Sequence, residues 1–540
     1  MQNTTEDNVS NPMRENRQRC AGILLHITSL PGPYGIGDLG SAAHSFADFL
    51  SEAGVKLWQI LPLGPTGYGS SPYAARSSFA GNEMLISPDL LAAEGLLEKP
   101  ELARLKQSMR PKKRTAQEDE KNNVNRAEFG LVEKLKIPLL KKAARRFAEK
   151  LNKKNAESGL FKEFCSREAY WLDDYAVYQV LYEQYYDARW HTVWDKAISK
   201  REKDALENYK EKHAAEILDC KILQFFFECQ WQQLKKYVNS KGIRIIGDIP
   251  IFASQDSADS WSRLDLFKTD KNGNYTFVSG VPPDYFSVTG QLWGNPVYDW
   301  KQMKADGYRW WVDRIRRLLS QVDLFRIDHF RGFDEYWSVP AGNPTAEYGT
   351  WEKGPGADLF KTLEKNLGKL PILAEDLGLL TDTVIKLRDD LGFPGMKVCQ
   401  FGFEVKKNGE LDAQHVFLPH NYSYQWAAYS GTHDNNTTAG WYLSLKKKER
   451  RVVASYLNAR EGRAEEASPP EIAWAMIRAV ISSHAQYAIF PLQDLLGLGE
   501  EARFNLPSTC TNNNWSWRMN KIPDARIAKR FLELVRLYGR

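Results

Sequence analysis

The sequence predicts an α/β protein, a (β/α)8 TIM barrel enlarged by insertions, on three observations. Eight short apolar runs of strand length recur along the chain, helical patterns separate several of them, and acidic side chains stand where several of the runs end. Eight strands joined by helical crossovers is the count of a (β/α)8 barrel, whose reactive residues sit at the C-terminal ends of the strands. A doubly wound open sheet is the alternative. It should carry G-x-G-x-x-G in the tight turn directly after its first strand; here Ile27-Thr-Ser-Leu-Pro31 follows the strand, and Gly35-Ile-Gly-Asp-Leu-Gly40, which has the spacing, comes only later in a Pro/Gly-rich loop.

The first strand is Ala21–His26. A Pro/Gly-rich loop from Leu30 to Gly40 leads into a helix over Ala42–Ala53, which Gly54 caps before a second strand over Val55–Leu63. Such a unit requires a parallel pair with a right-handed crossover. From about residue 92 to 237 the pattern becomes helical and charged, as in Lys134–Lys150 and Trp171–Tyr186, and reads as an inserted helical subdomain. Its charge run, Arg110–Lys121, balances Lys112, Lys113 and Arg114 against Glu118, Asp119 and Glu120, which suits a solvated loop better than a polyanion site. The third strand is Arg244–Ile249. A second insertion, rich in Gly, Pro and aromatic residues, occupies about 252–300 and is expected to form a loop-rich cover over the site.

Five more strands lie near Asp323–His329, Pro371–Asp376, Met396–Phe403, Ala428–Asp434 and Tyr487–Gln493, with helices over Tyr308–Leu319, Thr381–Leu391 and Pro469–Ser483. A standard barrel needs roughly 250 residues, so about half of this 540-residue chain is insertion. Residues 1–20 are polar and expected to be a disordered lead-in; 21–540 form one catalytic domain with no separate C-terminal β-domain.

Composition narrows the function. The net charge of +5 is small for the length, and no basic stripe is interleaved with aromatics, so nucleic acid is disfavoured as a partner. The 12% aromatic content suits flat, partly apolar ligands such as sugars. Six scattered cysteines without C-x-x-C spacing point to a reduced, cytoplasmic protein. The N-terminus lacks a signal-peptide core, and no run approaches the roughly 20 apolar residues of a membrane span. No acid–histidine cluster has metal-ligand spacing, and neither a phosphate loop nor a pyridoxal-lysine motif is present, so no cofactor or metal is expected.

The chemistry starts at Asp323–Gly332. On a strand, Leu324, Arg326 and Asp328 share one face while Phe325 and Ile327 take the other. An arginine beside an aspartate inside an apolar run is what a carboxylate nucleophile needs. Two further runs end in acids, Pro371–Leu377 with Glu375 and Ala428–Asn435 with Asp434. Two carboxyl groups flanking an acetal carbon can break and remake a glycosidic bond, one attacking and one exchanging a proton. Glu375, at the end of an apolar run and near another carboxylate, is suited to stay protonated. Asp434, after His433, offers a third carboxylate to favour a positive, oxocarbenium-like transition state.

Several motifs then carry a specific resemblance. They are Leu24-Leu-His-Ile-Thr-Ser-Leu-Pro-Gly-Pro-Tyr-Gly-Ile-Gly-Asp-Leu-Gly40, Ser70-Ser-Pro-Tyr73, Gly247-Asp-Ile-Pro-Ile-Phe252, Val281-Pro-Pro-Asp-Tyr-Phe-Ser287, Gly290-Gln-Leu-Trp-Gly-Asn-Pro296, Phe325-Arg-Ile-Asp-His-Phe-Arg-Gly332, Ala374-Glu-Asp-Leu-Gly378 and Gly431-Thr-His-Asp-Asn435. In these the chain resembles the amylomaltases or disproportionating enzymes, the 4-alpha-glucanotransferases of glycoside hydrolase family 77, from Ala21 to Arg518. The resemblance implies retaining transfer of an alpha-1,4-glucan segment from maltooligosaccharide, starch or glycogen donors to the 4-hydroxyl of an acceptor glucan or glucose.

It implies Asp328 as nucleophile, Glu375 as acid/base and Asp434 as transition-state stabiliser. It also implies Arg326, His329, His433 and Asp248 as partners of the sugar in the cleaved-side subsite. Tyr73 would stack near that ring, and Asp284, Gln291 and Trp293 would belong to a loop over the glucan. The chain departs from the family's pattern at Ile27, where Pro is usual, at Asn436, where Asp is common, and at Asn505-Leu-Pro-Ser508, where Asn-x-Pro-Gly is usual. A sugar contact from Asn505 depends on that last turn. An alpha-glucan hydrolase would use the same three acids, and a catalytically silent glucan-binding protein would not need them.

Overall fold

The computed structural model describes residues 18–110, 125–151, 156–283, 287–378, 380–459 and 467–540. Eight parallel strands form its centre: β1 Cys20–Leu24, β2 Leu57–Gln59, β3 Arg244–Pro250, β4 Leu324–Asp328, β5 Ile372–Ala374, β6 Gly395–Val398, β7 Trp426–Tyr429 and β8 Tyr487–Pro491. Their hydrogen-bonded order is β5-β4-β3-β2-β1-β8-β7-β6, which is chain order around a circle. Two contacts bridge the remaining gap: Ala374 N–H donates to Pro394 O at 2.9 Å, and Met396 N–H donates to the Asp376 carboxylate at 2.7 Å. The sheet therefore wraps into the expected barrel. Asp376, next to Glu375 in sequence, faces this seam and is ion-paired with Arg388.

The strands are runs buried on both faces, as a parallel barrel requires; β1, β2, β5 and β8 are buried at every residue. Helices cover the outside where the sequence pattern places them, at Ser41–Glu52, Arg309–Gln321, Asp382–Asp390 and Pro469–Ser482. The last helix, Ala525–Leu537, returns to the first: a Cβ on Gly54 would meet the Leu532 side chain at 2.7 Å. The strands are shorter than the apolar runs, and after β6 the chain tightens into a 3-10 turn over Cys399–Gly402.

Between β2 and β3 come the long helices Phe129–Leu151, Ala156–Tyr185 and Ala214–Ser240. The third has two partners. Its first half meets the inserted helices, with Phe147 against Phe225 and Phe226 at 5.8 and 5.3 Å. Its second half lies on the barrel, where Trp231 Nε1 donates to Gln321 O and Tyr237 OH to Asp48. Most of the charge run at 110–121 lies outside the described residues, as does the lead-in to residue 17. Of the lead-in's last residues, Arg19 donates to Ser483 O at 2.8 Å and Cys20 already begins β1.

The segment expected as a loop-rich cover contains strands. Phe277–Val281 and Gln291–Pro296 join Glu335–Pro340 and Thr350–Lys353 in a four-stranded antiparallel sheet. Half of that sheet comes from the β3–β4 connection and half from the β4–β5 connection: Phe277–Val281 pairs on one side with the nearby Gln291–Pro296 and on the other with Glu335–Pro340, about sixty residues downstream.

Candidate active site

The parallel register of β3 and β4 sets Asp248 opposite Arg326 and Pro250 opposite Asp328. Arg326 Nε donates to Asp248 Oδ2 at 2.8 Å, and its Nη2 donates to Asp328 Oδ1 at 2.7 Å and to the Tyr73 hydroxyl at 3.2 Å. Tyr73 OH donates in turn to Asp248 Oδ2 at 2.9 Å. Charge-assisted bonds of this kind are short and orienting. The Arg326 and Asp248 side chains are 4% and 0% exposed, whereas Asp328 is 32% exposed. One carboxylate is thus enclosed behind the guanidinium and the other presented. Asp248, expected to bond the sugar, is held by Arg326 and Tyr73 through its Oδ2.

Directly after Asp328 the chain turns sharply at His329, whose φ of 54° lies in the left-handed region that non-glycine residues seldom adopt. Gly332 makes the turn possible: a Cβ there would come within 2.8 Å of Ile251 and 3.1 Å of the His329 ring. The turn aims His329 N–H at Glu375 Oε2, 2.7 Å away, while Leu377 N–H donates to Oε1 at 3.1 Å. Burial, and next the Asp328 charge, push the Glu375 carboxyl up to about 8. Burial likewise pulls the His329 imidazole down to about 4, so the ring is neutral near pH 7. Trp293 meets it edge-on, with centroids 4.8 Å apart.

After β7 stand His433 and Asp434. His433 Nε2 lies 3.3 Å from Asp434 Oδ2, and Asn505 Nδ2 donates to Asp434 Oδ1 at 2.7 Å. Packing around Asp434 would raise its carboxyl, but His433 and Asn505 outweigh it and hold the group well below the usual carboxylate range. Its side chain remains 45% exposed. The His433 ring stacks on Tyr73, 5.1 Å between centroids and 16° from parallel.

A cleft of about 540 Å³ opens above these groups, lined by Tyr73, Trp293, Asp328, His329, Asn505 and Trp515 among others. The structure therefore brings most of the expected residues together. Of the three acids only Asp328 lines the cleft itself; Glu375 and Asp434 stand behind the lining residues His329 and Asn505, which hydrogen-bond to them. Gln291, two residues before Trp293 on its strand, is not in the cleft lining either, and Asp284 lies outside the described residues, as does Phe286. Two further residues support the site. Arg503 donates to the backbone carbonyls of Asp434 and Asn505 at 2.7 Å each, and Trp515 packs on Tyr73 and His433. Neither carries a sequence signal, because each reaches the site through a loop some seventy or more residues after Asp434. Asn436 accepts at its backbone from Gln400, while its side-chain oxygen is buried without a hydrogen-bond partner.

Among the described residues no group of three or more His, Cys, Asp or Glu is placed to hold a metal ion. Three carboxyl groups at the ends of β4, β5 and β7, one of them protonated near neutral pH, can perform acid–base and nucleophilic chemistry on an acetal.

A family profile described as 4-alpha-glucanotransferase matches residues 25–523. The 4-alpha-glucanotransferase of Streptococcus pneumoniae serotype 4 is 42% identical over 97% of this chain and 98% of its own. That of Thermus thermophilus is 44% identical over 93% and 95%. The solved amylomaltase of Streptococcus agalactiae in complex with acarbose is 36% identical, with a TM-score of 0.87 over 97% of this chain and 100% of that one. The amylomaltase of Corynebacterium glutamicum, 18% identical with a TM-score of 0.75 over 97% of this chain and 75% of that one, shares the fold.

Proposed function

This chain belongs to the 4-alpha-glucanotransferases of glycoside hydrolase family 77, and from that premise we propose how its residues divide a retaining transfer between alpha-1,4-glucans. Asp328 Oδ attacks the anomeric carbon of the donor. As that bond forms, Glu375 gives its proton to the glycosidic oxygen, the carbon–oxygen bond breaks, and the reducing-end fragment leaves with the proton. The glucosyl unit is then an ester of Asp328. In the second half, the Glu375 carboxylate takes the proton of an acceptor 4-hydroxyl, whose oxygen displaces Asp328. Two inversions restore the alpha configuration.

The observation that carries this reading is the contrast in setting between the two acids, one buried and one presented to the cleft on a guanidinium. Glu375, held up to about 8, is mostly protonated near pH 7 and can act as a general acid; Asp328 faces the cleft on a guanidinium 2.7 Å away. Asp434 stands ready as an anion for the oxocarbenium-like transition state, held by His433 and Asn505. Arg326 and Asp248 orient Asp328 from behind. His329 and Trp293 border the sugar, and Tyr73 offers its ring beside it.

We assign maltooligosaccharides and the outer chains of starch or glycogen as donors and acceptors, from the family premise and the aromatic cleft. No described helix is long and apolar enough to cross a membrane. All six cysteines are free, which favours the cytoplasm as the place of action. Incubation of the pure protein with maltotriose tests the whole reading. A ladder of longer maltooligosaccharides with glucose is expected, and shortened products alone would make the protein a hydrolase.

A further inference from the structure

Three rings close on one another at the wall of the cleft. Tyr73 and His433 are 5.1 Å apart between centroids, Tyr73 and Trp515 5.6 Å, and His433 and Trp515 5.9 Å. The first two are tied to different acids. Tyr73 reaches Asp328 through its hydroxyl and Arg326, while His433 faces Asp434 directly. Trp515 touches both rings, and it alone of the three adopts an unfavourable backbone, with φ 63° in the left-handed region that a bulky side chain avoids.

The chain holds it there from both sides. Trp515 N–H donates to Phe504 O at 2.7 Å, Ala127 N–H donates to Ser516 O at 2.6 Å, and the Ser29 hydroxyl donates to Trp517 O at 2.7 Å. The indole also packs on Phe504, 5.8 Å between centroids. The residue is 8% exposed. The same loop supplies Arg503 and Asn505, the two residues that grip Asp434. A left-handed backbone at a bulky residue, held by hydrogen bonds on both sides, suits a side chain whose direction matters.

We propose that Trp515 is a positioning residue for glycosyl transfer: its indole fixes the Tyr73 and His433 rings against each other and so sets the placement of Asp328 relative to Asp434 around the sugar. The inference rests on the roles given to those acids above. Without the indole each carboxylate keeps its own hydrogen bonds, but the two assemblies can shift past one another. A misplacement of about 1 Å costs on the order of 100-fold in rate.

The test compares the parental enzyme with Trp515→Phe, Trp515→Ala and Trp515→Gly. Failure of the parent to build a ladder from maltotriose would overturn the glucanotransferase reading, independently of the variants. Given a working parent, kcat on maltotriose should fall about 100-fold in the Ala and Gly variants while KM changes less than about 3-fold, and Phe should restore kcat to within about 5-fold of the parent. Glycine accepts the left-handed backbone, so Trp515→Gly should melt at or above Trp515→Ala yet share its kinetic loss, which separates positioning from folding. The loss should persist on an alpha-maltotriosyl fluoride donor, whose leaving group needs little protonation, because the defect lies with Asp328 and Asp434 and not with Glu375. A raised KM with kcat kept would make the indole a sugar platform and overturn the proposal. So would parental kcat in Trp515→Gly, or a Phe variant as slow as the glycine one.

Discussion

Replacing Glu375 with Gln should abolish transfer and at the same time stabilise the fold, by an amount that depends on pH in a calculable way. The Glu375 carboxyl is raised from 4.5 to about 8, first by burial and then by Asp328. A raised folded-state value means that the neutral acid is the form the fold prefers. Its contribution is therefore fully present below about pH 4.5 and is lost as pH rises through about 8, because the unfolded chain releases this proton earlier than the native one. At about 1.4 kcal/mol per pH unit, the whole window is worth about 5 kcal/mol, of which about 2–3 kcal/mol falls between pH 5 and pH 7.

Glutamine stays neutral throughout. It cannot accept from both His329 N–H and Leu377 N–H as the two carboxyl oxygens do, and that loss is a constant offset of about 1 kcal/mol. The difference between variant and parent must therefore change with pH even where its absolute value is offset. The assay is thermal unfolding of both proteins side by side at about pH 5, 7 and 9, with the gap in Tm widening in favour of the glutamine variant up to about pH 8 and then levelling. A gap that does not move with pH would refute the raised carboxyl, and with it the choice of Glu375 as the protonated acid. In the parent, kcat/KM should fall with a basic limb near pH 8 as that proton is lost.

Arg326→Lys should lower kcat/KM by about 100-fold or more, since a lysine cannot span Asp248, Tyr73 and Asp328 as the guanidinium fork does; maltotriose kinetics within 10-fold of the parent would contradict it. Asn505→Ala should cut kcat by about 10- to 100-fold with little change in Tm, because it frees one oxygen of a half-exposed Asp434 while leaving the backbone bond of Asn505 N–H to His433 O possible. Trp293→Ala should raise the ratio of hydrolysis to transfer, read as reducing ends against ladder formation on maltotriose. Opening the wall beside His329 admits water, which at about 55 M competes with the acceptor. Exhaustive chelation with EDTA should leave activity intact; loss restored by calcium or zinc would mean that the acids serve a metal.

The barrel is legible because burial on both faces makes each strand a near-continuous apolar run, punctuated by Gly and Pro, and eight such runs are counted without knowing which pair. Strand ends are less legible. Val55–Leu63 reads as one strand, yet the strand proper is Leu57–Gln59, with Lys56 and Ile60 each donating one backbone bond to a neighbouring strand, and Leu61–Leu63 already belong to the loop that follows. The four-stranded sheet beside the cleft leaves little trace. Its strands are partly exposed, and Phe277–Val281 and Glu335–Pro340 find each other across about sixty residues. Nothing local in either segment announces the partner. Asp248 illustrates the same limit within the site: its place at a strand end is visible in the sequence, but its enclosure behind Arg326 and Tyr73 is a property of three segments meeting.

The division of labour among the three acids, by contrast, is written in their nearest neighbours. Asp328 follows Arg326 by two residues, so on one strand face the guanidinium lies within 2.7 Å of it. Asp434 follows His433, and the imidazole stands 3.3 Å away. Glu375 follows Leu373 and Ala374, and the hydrogen bonds it accepts come from the backbone N–H groups of His329 and Leu377. Two acids thus have a potential cation within two residues of them in the chain, while the third has apolar side chains before it and a carboxylate after it. Burial and like charge then do the rest, raising Glu375 while the His433–Asn505 pair lowers Asp434. A general acid needs that inequality more than it needs any particular distance, since a proton held at the wrong carboxylate at pH 7 cannot be given to a leaving oxygen. Inserting a cation beside Glu375 should therefore damage catalysis even with all three acids in place, and Leu373, buried in β5 on the strand face that Glu375 continues, is where the sequence keeps one out.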